Sequence, residues 1–329
     1  MLRAVGLPVG LSLLPLSLVG AGCCPPPAPT EVVLPATPAQ RMAQGGRCRE
    51  QPLALQILGS GGPVPDDGRA SAGYLLWHEG KARLLVDAGG GVFLRFGEAK
   101  ARIADLDAIL LTHLHADHAG DLPALLKGGY FAERERPLPI VGPAGGERFP
   151  ATDAFVRGLL DADTGTFRYL SGYLDGRLFE LPTTVVDPER PPATVLSSAG
   201  LTVEAVGVHH GTIPALGYVV ALGSFRVAFT GDQSADSKAF AERIAGVDIL
   251  VAHHAIPEEG SGVEHLHRTP SQIAQMAQDA GVKSLVLSHH MKRSLDDLMG
   301  SLELMRSIYA GPIEVGDDLS CYPLAPPAE

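Results

Sequence analysis

Basic residues are scarce in this 329-residue sequence, with 26 Lys+Arg against 37 Asp+Glu, and no run of them is long enough to track a phosphate backbone. The net charge of −11 disfavours a polymeric nucleic-acid partner, so none is expected. Long apolar runs are equally scarce. The one uninterrupted stretch lies before residue 23, and its shortness together with Pro15 argues against a permanent membrane-spanning helix. No internal repeat of fixed period appears, which excludes an array of repeated units. Cysteine is rare too: of four, two are adjacent at Cys23 and Cys24, and none looks catalytic. Apolar residues as a class are not lacking. At 45% they suffice for a substantial core, which removes disorder as the default reading.

The N-terminal run has the form of an address. Residues 1–22 carry one positive charge, Arg3, followed by a Leu/Val/Gly-rich stretch, and read as a secretory signal peptide. Gly20-Ala21-Gly22 before Cys23 resembles a bacterial lipoprotein cleavage site, although Gly20 stands where such sites usually carry Leu. The expectation is an exported protein, periplasmic or held to the membrane through a lipid on Cys23. A single acyl chain anchors only marginally, so a further contact would be needed. Residues 23–50, opening with Pro25-Pro26-Pro27-Ala28-Pro29, read as a Pro-rich linker, and 51–329 as the folded domain. Cys48 and Cys321 flank that domain. They either pair in an oxidising compartment or remain two free thiols.

Within the domain, short apolar runs alternate with glycine-rich turns and helix-like segments. Strands are expected at 53–58, 74–77, 83–86, 108–111, 202–208, 216–222, 225–229, 249–252 and 284–287. Helical spacing marks 121–127, 153–160, 237–244, 271–280 and 295–309. Strand-rich halves with interspersed helices predict a layered α/β domain. Residues 163–198 are rich in Gly, Pro and Thr and are expected to form a variable loop over a site.

One run concentrates chemistry. Ile109-Leu110-Leu111-Thr112 leads as a strand into His113-Leu114-His115-Ala116-Asp117-His118, three imidazoles and a carboxylate in six residues. Packing gives no reason for such a run at a strand end. Imidazole nitrogen and carboxylate oxygen are the donors that zinc and similar divalent ions prefer.

This run resembles the signature of the metallo-β-lactamase superfamily. The resemblance implies an α/β fold, the four-layer αβ/βα sandwich, and three later stations in a set order. They stand here as Val208-His209-His210-Gly211, Phe229-Thr230-Gly231-Asp232 and Leu287-Ser288-His289-His290. The family pattern favours His210 over His209 and His289 over His290 as ligands. It then implies two divalent metal ions, zinc by default with manganese or iron as alternatives. One would be bound by His113, His115 and His210, the other by Asp117, His118 and His289, with Asp232 bridging. Paired cations of this kind lower the pKa of a shared water and stabilise an anionic transition state, and Asp117 could orient that water. Flavin-coupled di-iron relatives place a glutamate where His115 stands, so redox use is not expected.

A narrower resemblance covers most of residues 53–292. Leu58-Gly59-Ser60-Gly61-Gly62-Pro63, Arg69-Ala70-Ser71, Leu85-Val86-Asp87-Ala88-Gly89 and Val141-Gly142-Pro143 are similar to the ribonuclease Z and arylsulfatase-type branch. Asp87 is expected to support the metal loop from beneath rather than to bind metal. That branch uses a His-Glu-Ala and a His-Ser-Thr segment for proton transfer. Here they read His253-His254-Ala255 and His267-Arg268-Thr269, so the glutamate is replaced and His267 is the expected general acid. His253, His254 and His265 otherwise read as a polar loop at the site's mouth, and His78 as a surface strand residue. The function implied is an exported metal-dependent hydrolase of a small phosphodiester or sulfate ester. Two alternatives are a lactone, thioester or β-lactam hydrolase, and a metal-binding lipoprotein without turnover.

Overall fold

The computed structural model describes residues 45–324. The expected signal segment 1–22 and most of the linker lie outside the described residues. Packed chain begins earlier than residue 51: a 3-10 turn at Arg47–Glu50 buries Cys48, which is disulfide-bonded to Cys321 with their Cα atoms 5.4 Å apart. Among the described residues no helix is long and apolar enough to cross a membrane.

Two seven-stranded sheets form the centre, with strands numbered in chain order. The first runs β14 (Cys321–Pro323), β1 (Leu53–Gly59), β2 (Gly73–His78), β3 (Lys81–Val86), β4 (Ala108–Leu110), β5 (Ile140–Pro143), β6 (Thr183–Val186). The second runs β13 (Ile313–Val315), β12 (Ser284–Ser288), β11 (Ile249–His253), β10 (Phe225–Phe229), β9 (Ile213–Leu222), β8 (Leu201–His210), β7 (Ala193–Ser198). Each sheet is antiparallel where hairpins connect its strands and parallel from β3 to β6 and from β10 to β13.

Because strand side chains alternate between faces, the central strands are apolar at almost every position and bury both sides. Leu55, Ile57, Tyr74 and Leu76 point between the sheets, against Tyr218, Val220, Val227 and Phe229. Their neighbours Ala54, Leu58, Leu75 and Trp77 face outward into a second cluster. Helices cover that outer face: α1 (Val92–Glu98), α3 (Leu122–Gly129) and α4 (Thr152–Leu160), with a short α2 (Ala116–Ala119) before α3. On the other side α5 (Lys238–Arg243), α6 (Pro270–Asp279) and α8 (Leu298–Ile308) cover the second sheet, after a short α7 (Lys292–Leu295). Helix α6 starts where its sequence says it should, with Thr269 and Gln272 forming a capping box and Pro270 in the first turn. The result is the four-layer sandwich that the resemblance implied.

Three differences from the sequence reading have local causes. Residues 163–198 are not a loop alone, since they hold a 3-10 turn at Arg168–Tyr173 and the outermost strands β6 and β7. These edge strands are half-buried or exposed, so they lack the alternation that marks a strand in sequence. The helix expected at 295–309 is α8, which starts only at Leu298, because the chain breaks at Asp296-Asp297 after the separate short α7. Helix α1 was not anticipated, because Gly89-Gly90-Gly91 and Gly97 carry low helix propensity.

Candidate metal centre

The chemistry-bearing residues gather at the carboxyl ends of strands from both sheets, where open α/β layers place their ligands. His113 to His118 follow β4, His210 ends β8, Asp232 follows β10, His253 ends β11 and His289 follows β12. Two close approaches shape this end. A Cβ on Gly89 would lie 2.0 Å from the Asp117 carbonyl oxygen, so only glycine lets the histidine loop sit against β3's exit. His289 adopts φ 53°, a left-handed conformation that a β-carbon resists and that the surrounding packing must hold in place.

Four side chains, those of His113, His115, His210 and Asp232, offer ligand atoms all within 4.8 Å of one another; so do those of His118, Asp232, His253 and His289. Asp232 is common to both. In the first group His113 Nε2 is 2.9 Å from His115 Nδ1, and Asp232 Oδ2 lies 3.6 Å from His210 Nε2 and 4.0 Å from His113 Nε2. In the second, His118 Nε2 and His289 Nε2 are 3.1 Å apart, with Asp232 oxygens 3.8 and 3.5 Å from them. Asp117 Oδ2 closes on the same point, 3.3 Å from His289 Nε2 and 3.5 Å from His118 Nε2.

Asp117 and His253 compete for a place in the second group, and hydrogen bonding separates them. His253 Nδ1 is 2.6 Å from Asp232 Oδ1 and its Nε2 is 3.0 Å from the Tyr74 hydroxyl, so both ring nitrogens are already engaged. Its ring stacks on His289 at 4.6 Å. His253 therefore holds Asp232 and His289 in position, while Asp117 directs Oδ2 inward between His289 and His118. The expectation of a polar loop at the mouth fails for His253 and His254, which are 5% and 0% exposed, because β11 ends in His253 between two parallel neighbours and His254 follows it, its N–H bonded to the Ser288 carbonyl. Only His265 of that trio is exposed.

Beneath the loop, Asp87 is fully buried and accepts hydrogen bonds from Thr112 N, Thr112 Oγ1 and His118 Nδ1 at 2.7, 2.8 and 2.8 Å. This is the supporting role read from sequence, and it turns His118 Nε2 toward the centre. His210 is oriented the same way by its Nδ1 contact to the Leu266 carbonyl at 2.9 Å, which leaves Nε2 buried without a hydrogen-bond partner. His209 points away, exposed and bonded to Ser234 Oγ. His290 is buried elsewhere, 5.6 Å from the His254 ring. His78 is a half-buried strand residue beside Arg83. His267 faces the cluster, its Nδ1 3.9 Å from Asp232 Oδ2. Phe149 packs on His115 at 5.3 Å and covers one flank.

The electrostatics favour cation binding. Burial pushes the His113 and His210 imidazoles below their usual range, so they offer neutral lone pairs. Burial opposes charge on Asp232, but His289, His267 and His118 outweigh it and hold the carboxylate well below its usual range. Asp117 is likewise lowered to about 2 against its own burial, chiefly by His289 and His118. Burial alone would lower His118, yet Asp87 and Asp232 raise it to about 9. Clustered imidazole lone pairs around two anionic carboxylates, with a buried nitrogen lacking any partner, are a donor set that fits divalent cations.

Comparison with known proteins agrees. The family model described as "Beta-lactamase superfamily domain" matches residues 82–290. Ribonuclease Z of Mycolicibacterium paratuberculosis is 30% identical over 287 residues, covering 81% of this chain and 96% of the relative. Ribonuclease Z of Methanosarcina acetivorans is 26% identical over 318 residues, covering 81% and 96%. Among solved structures, the metallo-β-lactamase fold protein YhfI from Bacillus subtilis aligns with a TM-score of 0.63 at 22% identity, over 82% of this chain and 99% of its own. The short form of human tRNase Z aligns with a TM-score of 0.62 at 20% identity, over 83% and 100%. These relatives overturn the expectation that no nucleic acid is bound. Net charge averages the whole surface, whereas a phosphate chain is held by local groups and by cations in the site. The chain belongs to the metallo-β-lactamase superfamily, as a ribonuclease Z-like hydrolase.

Proposed function

We propose that this protein hydrolyses phosphodiester bonds with two divalent cations, zinc first among the candidates. His113, His115 and His210 would hold one, and Asp117, His118 and His289 the other, with Asp232 within reach of both groups. The observation that carries this reading is the convergence of two donor groups on the one carboxylate of Asp232. When bound, such cations supply a nucleophile near neutral pH and neutralise charge developing on phosphorus. The chain's own residues do the rest. His253 fixes Asp232, Asp87 fixes His118, and Asp117 accepts a hydrogen bond that orients the attacking water. His267, facing Asp232, rests neutral because burial lowers its imidazole to about 3; it would first take up the proton released by the attacking water and then pass it to the leaving oxygen.

RNA is the first substrate class to test, because relatives matched over nearly their whole length are ribonucleases by name. A small phosphodiester is the second substrate class to test, since the same donor set would serve it. The experiment measures bound metal in wild type, His115→Ala and Asp232→Ala, beside cleavage of a structured RNA and of bis-p-nitrophenyl phosphate. Two metals per chain falling to one or none, with loss of both cleavages, is expected. Turnover of lactone or thioester substrates alone would move the protein to carbonyl chemistry, and metal binding without any turnover to a non-catalytic role.

We further propose that the protein is exported and tethered through Cys23. The signal-like residues 1–22 support this, as does a Cys48–Cys321 bond of the kind that persists in oxidising compartments. Fractionation of wild type and Cys23→Ser tests it.

A further inference from the structure

One face of the domain exposes apolar side chains that an isolated soluble surface would bury. Phe131 is 74% exposed, Leu94 63%, Tyr169 61%, Tyr130 44% and Phe93 42%. They come from α1, from the end of α3 and from the 3-10 turn at Arg168–Tyr173, and Phe93, Leu94 and Phe131 line a groove of about 700 Å³ together with Phe96, Ile103 and Leu125. Lys127 lies among these rings, its Nζ 4.4 Å from the Tyr130 ring, 4.6 Å from Phe131 and 5.3 Å from Tyr169, and exposed Arg102 and Glu133 also line the groove. Clustered exposed apolar groups of this extent mark an interaction surface. Exposed rings, two of them tyrosines with polar tips, beside the cations Lys127 and Arg102 suit the boundary between water and lipid.

The covalent chain arrives at the same place. Gly45 packs directly on the last turn of α1, where a Cβ would lie 2.7 Å from the Glu98 carbonyl oxygen, and Gly46 sits beside Lys100. Helix α1 is the element that presents Phe93 and Leu94. Cys23 lies 22 residues upstream of Gly45, a contour of roughly 70 Å. A lipid on Cys23 would thus bring a bilayer to the rim of the apolar face at high effective concentration, and one acyl chain alone is too weak to hold there.

We propose that this face lies on the lipid bilayer and supplies the second contact that a singly anchored protein needs. The inference rests on the tethering proposed above. Its test does not, because vesicles are added directly, and export is read separately by fractionation. Full-length protein is mixed with phosphatidylcholine/phosphatidylethanolamine vesicles, and binding is measured by cosedimentation for wild type and the Leu94→Ser/Phe131→Ser double variant. Hydrogen exchange of segments 92–99 and 127–132 is followed in wild type with and without vesicles. At least tenfold weaker partitioning of the double variant, with vesicle-dependent protection of both segments in wild type, is the expected result. Equal partitioning of the two proteins overturns the proposal. So does protection that appears without vesicles and grows with protein concentration, which would assign the face to a second copy of the chain. The wild-type exchange measurement decides the matter even if the double variant folds poorly.

Discussion

Replacing Asp87 by Asn should change metal binding in a way that depends on pH, although Asp87 touches no metal in the proposed site. Its carboxylate accepts three hydrogen bonds, one of them from His118 Nδ1 at 2.8 Å. Removing such a support typically weakens metal affinity by about 10- to 100-fold. Against that stands a proton. Burial disfavours charge on His118, but Asp87 and Asp232 together raise its imidazole to about 9, so at pH 7 metal must displace a proton from it. Over two pH units that competition weakens wild-type affinity by about 100-fold. His113 and His210 are shifted downward and add no such term between pH 7 and 9. With Asn at position 87 the largest attraction holding the His118 proton is lost while Asp232 and Asp117 remain, so the variant's affinity falls less steeply with pH over this range. The deficit of Asp87→Asn should therefore be about 10- to 100-fold at pH 9 and clearly smaller at pH 7. Competition titration with a chromophoric zinc chelator at three pH values reads this directly. Parallel curves for the two proteins, or a wild-type affinity independent of pH, would refute the coupling of His118 to Asp87.

Two further outcomes concern stability. The Cys48–Cys321 bond closes a loop spanning 273 positions, which in the chain-entropy view restrains the unfolded state by about 5 kcal/mol. The Cys48→Ser/Cys321→Ser variant should melt roughly 10 °C lower by calorimetry, and an unchanged Tm would deny the bond a structural part. Burial lowers the His254 imidazole to about 4, below its unfolded value near 6.5. The unfolded chain therefore binds this proton first as pH falls, and stability is lost between pH 6.5 and 4, by about 3 kcal/mol for the one group. His254→Phe should remove one proton from the slope of stability against pH in that window. Urea unfolding at pH 6.5 and 4.5 checks it, with equal slopes counting against the argument.

Much of the centre was legible because its chemistry is written locally. His113, His115, Asp117 and His118 stand together in sequence because a strand exit and one short helix deliver them, and nothing distant is needed to see their ligand character. Core strands were equally readable, since burial on both faces demands apolar runs such as 249–252, or 53–58 with Gln56 its one polar residue. Edge strands β6 and β7 were not, because half-exposed residues satisfy a ladder with almost any side chain. The nucleic-acid expectation failed for a related reason: whole-chain charge carries no information about which groups surround a site.

The amino-acid sequence alone thus determined which residues are able to bind metal and the order in which they occur. Tertiary structure decided which of them meet. His210 rather than His209, and His289 rather than His290, turn inward because alternate strand and loop positions face opposite sides. His253 became a prop for Asp232 because parallel pairing of β11 places it beneath the centre, and Cys48 reached Cys321 because β14 pairs with β1. Each outcome depends on register between segments far apart in the chain, which only the packed layers set.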